Sequence, residues 1–171
     1  LERIQRAARR ASELTRQMMA YAGADEIEPE RVVVSEFVAS VTATLESTLD
    51  AGTSLVFELE PELPDVYGDV GQLTQVVMNL LTNAAEAIEG REDENAPPGE
   101  IRLRLAHEDG MVTIEIEDNG KGLPQQQRDR LTEPYFTTRA KGTGLGLAIV
   151  RKIMEDHKGS LQLRDGEAGG A

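Results

Sequence analysis

No cysteine or tryptophan occurs among the 171 residues, and only 4% of them are aromatic. The absence of cysteine excludes a disulfide framework, a thiolate zinc site and a thiol nucleophile. At this length a compact fold buries roughly 70% of the surface its unfolded chain exposes, so neither a covalent staple nor a metal is needed to hold it together. No apolar run approaches the roughly 20 residues that cross a bilayer, and the N-terminal LERIQRAARR lacks the apolar core and cleavage site of a secretory signal. A soluble, cytoplasmic chain of one domain plus a short extension is expected, with membrane anchoring of a longer protein left open. The sequence starts without Met and inside a helical pattern, and so reads as a piece of something longer. Basic residues are also scarce, 18 Lys and Arg against 31 Asp and Glu, for a net charge of −13. That balance argues against a general partner of nucleic acid or anionic membrane, because such binding draws on clustered positive charge.

The deficit is local. Residues 1–16 carry five Arg and two Glu, residues 23–100 carry two Arg and 18 acids, and residues 117–158 carry eight Lys or Arg and six acids. An anion site is therefore to be sought within 117–158.

Residues 1–22 read as one helix with a heptad seam of Ile4, Ala7, Ala11, Leu14, Met18 and Tyr21. Three short heptads alone are marginal, so this helix is expected to pack on something outside the sequence. Residues 23–30 form a charged linker, and residues 31–171 a mixed α/β domain. Within it the expected order is a strand at 31–34, Ser35 as N-cap, and a helix from 36 to about 49 with Phe37, Val41 and Leu45 on one face. A strand follows at 53–60 with Leu55, Phe57 and Leu59 pointing one way, closed by Pro61 and Pro64. Asp69 caps a helix to about residue 89, with Gln72 placed as in a capping box. After a solvated loop at 90–99 comes a hairpin whose inward residues are Ile101, Leu103 and Leu105, then Val112, Ile114 and Ile116, turning at 107–110. A helix from about 145 to 157 and a strand at 160–164 complete the pattern. The fold class expected is α/β (α+β): a two-layer sandwich of a mixed, mainly antiparallel sheet covered on one face by helices and preceded by one isolated helix.

Three strings could carry chemistry. The helix at 70–89 has no charged residue from Val70 to Ala85, although half of a covering helix normally faces water. Opposite a core face of Val76, Val77, Leu80, Leu81, Ala84 and Ile88 runs a stripe of Gln72, Gln75, Asn79, Asn83 and Glu86. Such a stripe suits a partly enclosed polar site, though an ordinary exposed face would also give it. Next, Asp118-Asn119-Gly120-Lys121-Gly122 follows a strand. Its glycines permit a sharp turn and close approach, and its carboxylate can accept from an exocyclic amine, while a plain turn would read the same. Finally, Lys141-Gly142-Thr143-Gly144-Leu145-Gly146-Leu147 opens a helix, where backbone N–H groups and the helix dipole accommodate phosphate. It is neither a Walker A loop nor a dinucleotide fingerprint, and Arg139 lies just upstream.

Taken in order, QVVMNLLTNAAEAI (75–88), DNGKGLP (118–124), EPYFTT (133–138) and GTGLGLAIV (142–150) resemble the N, G1, F and G2 boxes of the catalytic ATP-binding domain of sensor histidine kinases, of the GHKL or Bergerat type. The likeness covers about residues 25–165. The helix at 1–22 resembles the end of the second dimerisation helix of such kinases, and the boxes have the flavour of nitrogen-regulation and hybrid sensor kinases.

The resemblance implies ATP and Mg²⁺ as ligands and transfer of the γ-phosphoryl group to a histidine. Asp118 would accept the adenine amino group, with Gly120 and Gly122 shaping the base pocket. Asn83 would ligate Mg²⁺, and Asn79 would contact metal or phosphate. Arg139 and Lys141 would neutralise the β- and γ-phosphates, which the N–H groups around Gly144, Leu145, Gly146 and Leu147 would hold. Thr143 would donate a hydroxyl to phosphate. Residues 119–143 would include a mobile lid anchored by Phe136. The implied partners are the protein's own dimerisation domain, in a homodimer, and a response-regulator receiver domain.

The acceptor helix of the family is absent. His107 lies in a hairpin turn and His157 ends a helix as a cap, so this chain alone is not expected to phosphorylate itself. Related chaperone, mismatch-repair and gyrase ATPases have a glutamate general base where this sequence has Asn79, which favours a kinase over an ATPase. Lys158-Gly159 stands where the family commonly has paired glycines, and a further strand is expected after Gly169-Gly170. The rival readings are a nucleotide-sensing interaction module without chemistry and an anti-sigma-type serine kinase of the same fold.

Overall fold

The computed structural model describes residues 27–46, 49, 52–91, 93, 96–137, 142–166 and 169–171. The expected helix at 1–22 and most of the linker lie outside them. Two compact units emerge: Pro29–Leu123 with Gln162–Ala171, and Pro124–Leu161.

In the first unit the elements run β1 (Glu30–Val32), α1 (Val34–Glu46), β2 (Thr53–Leu59), β3 (Val66–Gly68), α2 (Val70–Glu89), β4 (Gly99–Glu108) and β5 (Met111–Asp118). β2, β4 and β5 form one sheet in that order, with β2 parallel to β4 and β5 antiparallel to it. β1 and β3 form a separate antiparallel pair. The mixed sheet and its covering helices agree with the expected sandwich.

Register explains the core. Leu55, Phe57 and Leu59 stand opposite Ile101, Leu103 and Leu105, and Leu103 and Leu105 stand opposite Ile116 and Ile114. All therefore point to one face, since side chains alternate along a strand. Onto it pack Val34, Val38 and Val41 of α1 and Val77, Leu81, Ala84 and Ile88 of α2. Each fully buried leucine or isoleucine contributes about 1.5–3 kcal/mol. Phe57 and Leu59 share the direction but remain exposed, and of the three only Leu55 joins the core. The opposite face is charged: Arg102 pairs with Glu58, Glu100 and Glu117, and Arg104 with Glu115.

Several boundaries differ from the sequence reading. Helix α1 starts at Val34, not Glu36, because burying Val34 to 4% exposure brings it into the core stripe. The Phe37 amide already donates to the Val33 carbonyl, so Ser35 lies within the helix and is no N-cap. β1 accordingly ends at Val32. β3 was not expected; its three residues are held by pairing with β1 and by the Arg31–Asp65 ion pair, neither of which a local pattern reveals. The hairpin turn is tighter than 107–110. His107 and Glu108 pair with Val112 and Met111, and Asp109 and Gly110 alone make the turn, both at positive φ (52° and 78°), as a type I′ turn requires. Leu80 is half-buried. The expected strand at 160–164 does not form, since these residues have no ladder partner among the described residues. Beside the end of β5, the Asp118 amide donates instead to the Ala171 carbonyl at 2.8 Å.

In the second unit a short 3₁₀ turn (Arg128–Arg130) precedes α3 (Gly146–Asp156), with Ala148, Ile149, Val150 and Ile153 buried. His157 closes α3 as expected, its amide and ring Nδ1 both lying on the Ile153 carbonyl at 3.0 and 2.9 Å.

Candidate functional site

Helix α2 is the spine of the site. Asp69 caps it, its Oδ1 accepting the Gln72 amide at 2.9 Å, which satisfies one of the donors that every helix start leaves over. The reciprocal half of the capping box is missing, because Gln72 Oε1 is buried without a hydrogen-bond partner. Gln72, Gln75, Asn79 and Asn83 are half-buried and Glu86 is exposed. Asn79 Nδ2 is likewise buried without a partner. A buried amide left unpaired costs about 1–3 kcal/mol, and two on one helix mark a surface shaped for something polar.

The turn after β5 abuts the other end of this helix. Asp118 is 6% exposed, and its Oδ1 accepts the Gly120 amide at 2.8 Å. The Lys121 amide donates to the Ala87 carbonyl at 3.1 Å, and a Cβ at Gly120 would lie 2.5 Å from the Ala87 carbonyl carbon. Gly122 sits at φ +71°, where a Cβ would press on the Gly169 and Gly170 carbonyls. Asn79, Asn83 and Ala87 recur every fourth residue, so they share one face of the helix. At 1.5 Å per residue, Asn79 lies about 12 Å along the axis from the residue that Gly120 touches. A carboxylate that accepts donors thus stands at one end of an amide-lined helix.

In the other unit, α3 opens with Leu145 buried to 1% exposure and Gly146 and Leu147 half-buried. The Thr143 hydroxyl oxygen accepts the Leu145 amide at 3.4 Å. Gly144, at φ +68°, fits closely against Tyr135 and Phe136, and its carbonyl accepts the Tyr135 amide at 2.9 Å. The Arg130 guanidinium lies 4.5 Å from the Phe136 ring centroid, a stacking geometry that holds the ring of the expected lid anchor.

The expected site residues therefore fall into two groups. Asn79, Asn83, Asp118, Gly120 and Gly122 share the first unit, and Phe136, Thr143, Gly144, Leu145, Gly146 and Leu147 the second. Arg139 and Lys141 lie outside the described residues. Sequence reasoning passed over Asn119, whose side chain joins the Glu100 amide and the Pro98 carbonyl, and Gly170, where a Cβ would overlap the Asp118 carbonyl. Asn119 was within the quoted string, but its partners are set by register. No group of acidic or histidine side chains able to hold a metal exists among the described residues, and no helix among them is long and apolar enough to cross a membrane.

Comparison with known proteins bears on the family and the fold. Residues 68–171 match the family described as histidine kinase-, DNA gyrase B-, and HSP90-like ATPase. The nitrogen regulation protein NtrY of Azorhizobium caulinodans is 48% identical over 112 residues, which are 66% of this chain and 14% of that protein. The chain thus spans about a seventh of that relative. The catalytic domain of histidine kinase ThkA superposes with a TM-score of 0.70 at 29% identity, covering 82% of this chain and 91% of that one. ThkA in complex with the response regulator protein TrrA also matches, with TM-score 0.70, 25% identity, and 91% and 43% covered. Full-length ShkA in complex with AMPPNP matches with TM-score 0.70, 26% identity, and 84% and 30% covered. By the match over residues 68–171 the chain belongs to the histidine kinase-, DNA gyrase B- and HSP90-like ATPase family, and its fold is that of the histidine kinase catalytic domain.

Proposed function

We propose that this chain is the ATP-binding catalytic domain of a sensor histidine kinase and directs the γ-phosphoryl group of ATP to a histidine of a dimerisation domain, for relay to a response-regulator receiver domain. The observation that carries it is the buried, partnerless Asn79 Nδ2 on a helix whose far end packs against the Asp118 turn. ShkA, with the same fold, was solved with an ATP analogue.

Asp118 accepts the adenine amino group, and Gly120 and Gly122 shape the base pocket by letting the turn pack against Ala87 and against Gly169 and Gly170. Asn79 and Asn83 are the residues that would hold Mg²⁺. Their chemistry fits, because an amide flip would set the Asn79 oxygen where its buried nitrogen stands without a partner, and Mg²⁺ takes a few protein oxygens alongside water and phosphate. Bound there, the ion would offset phosphate charge. The N–H groups of Gly144 to Leu147 at the start of α3 and the side chains of Arg139 and Lys141 receive the phosphates, and the Thr143 hydroxyl donates to one of them. In the transfer the bond from the γ-phosphorus to the bridging oxygen breaks, ADP departs, and a phosphorus–nitrogen bond forms on the acceptor imidazole. The protein's part is positioning and charge neutralisation.

Asn79 is a poor base, so attack by water is slow. Neither histidine of this chain is a suitable acceptor: His157 caps α3 and His107 lies on β4.

The test mixes the chain with a separately produced dimerisation domain carrying the acceptor histidine and radiolabelled ATP. Label on the partner's histidine supports the kinase. ATP binding without any transfer would leave a nucleotide-sensing module as the better reading. If neither Asn83→Ala nor Asp118→Asn altered nucleotide affinity, the pocket assignment would be wrong.

A further inference from the structure

Arg91 follows the C-terminus of α2 and is absent from every motif above. It gathers carbonyls from three segments: its Nε donates to Ile88 in the last turn of α2 at 3.2 Å, and its Nη1 to Pro97 at 2.8 Å and to Asn119 at 3.5 Å. Pro97 and Pro98 bring carbonyls but no N–H groups, so they cannot pair with each other or reciprocate in a ladder. Their donors are side chains, Arg91 for Pro97 and Asn119 Nδ2 for Pro98, the latter at 2.9 Å. Asn119 Oδ1 in turn accepts the Glu100 amide at 2.9 Å. Asn119 directly follows Asp118, so its carbonyl lies in the turn that aims the carboxylate. A planar guanidinium can donate to several carbonyls in fixed directions, which a single ammonium cannot.

We infer that Arg91 is a positioning residue for base selection: it fixes the Asp118 turn to the end of the amide-lined helix, so that the carboxylate meets the exocyclic amine of a purine in register with the phosphate-facing amides. The inference rests on the reading of Asp118 as the adenine acceptor.

The experiment measures the affinity of the 171-residue chain for ATP and for inosine triphosphate, which has a carbonyl where adenine has the amine, by displacement of a fluorescent nucleotide. The unsubstituted chain prefers ATP, and Asp118→Asn abolishes the preference. Arg91→Gln lowers the ATP-to-inosine ratio about fivefold, and Arg91→Lys by less, the loss of the one charge-assisted bond to the turn. A purely structural role would weaken both nucleotides in equal proportion. If Asp118→Asn abolishes the preference while both Arg91 variants keep it, the inference is overturned and the adenine reading stands. If the unsubstituted chain shows no preference, both fall. Should Arg91→Gln fail to fold, Arg91→Lys decides alone by the same ratio.

Discussion

Gly120 touches the backbone of Ala87 so closely that even a methyl group at position 120 would stand 2.5 Å from the Ala87 carbonyl carbon and 2.7 Å from its oxygen. The glycine of the Asp-x-Gly turn is therefore required by helix packing as much as by any ligand. Because the obstacle is helical backbone, Gly120→Ala has to push the turn away, at about 1–3 kcal/mol. Denaturant unfolding of the nucleotide-free chain is expected to show that loss, and ATP affinity to fall with it. An unchanged midpoint would mean that the turn does not sit against α2.

At Asn79, stability and the proposed nucleotide binding are expected to move in opposite directions. Its side-chain nitrogen is buried without a partner, so replacing it by an apolar residue of similar size removes an unpaid desolvation. Asn79→Leu is expected to raise unfolding stability by about 1 kcal/mol while lowering the affinity for ATP with Mg²⁺ more than about tenfold, the opposite signs typical of a binding site. Loss of both stability and affinity would mark Asn79 as a structural residue.

The second unit has a comparable contact. Gly144 is at φ +68°, and a Cβ there would lie 2.5 Å from the Tyr135 carbonyl carbon. Tyr135 itself has φ +64°, an uncommon backbone conformation for an aromatic residue. Gly144→Ala adds strain at position 144 and breaks the fit that seats Phe136. It is expected to cost about 2 kcal/mol or more and to expose residues 133–137 to proteolysis. A digestion pattern identical to that of the unsubstituted chain would contradict this.

What the sequence disclosed and what it hid have separate physical causes. The stripe Val77, Leu81, Ala84 and Ile88 and the alternation Ile101, Leu103, Leu105 were readable because helix and strand periods sort core from surface locally. Asp69 was readable as a cap because capping is a contact over three residues. β3 was not, since three residues carry no period and its pairing is with β1 more than thirty positions earlier. Ser35 misled because its chemistry suits a cap while the burial of Val34 dictated where the helix begins. For the proposed site, the boxes point to Asn79, Asn83, Asp118 and the glycines. The residues that brace the Asp118 turn, Arg91, Asn119 and Gly170, act through contacts between distant segments that leave no local signature.

Two glycines outside the quoted motifs test that division. Gly110 has φ +78° with open space around its Cα, so Gly110→Ala meets only backbone strain, worth about 1 kcal/mol in a hairpin turn. It lies at the far end of β5 from Asp118, and nucleotide affinity should not change. Gly170 is in a different position: a Cβ there would overlap the Asp118 carbonyl oxygen and come within 2.6 Å of the Asp118 Oδ1, next to the bond from the Asp118 amide to Ala171. Gly170→Ala must displace either the tail or the carboxylate, so both unfolding stability and ATP affinity should fall, the latter by about tenfold if the carboxylate moves out of hydrogen-bond range. Measured side by side by thermal unfolding and nucleotide titration, the pair should differ in affinity even where their stabilities match. Equal affinities would show that the tail does not hold Asp118 in place.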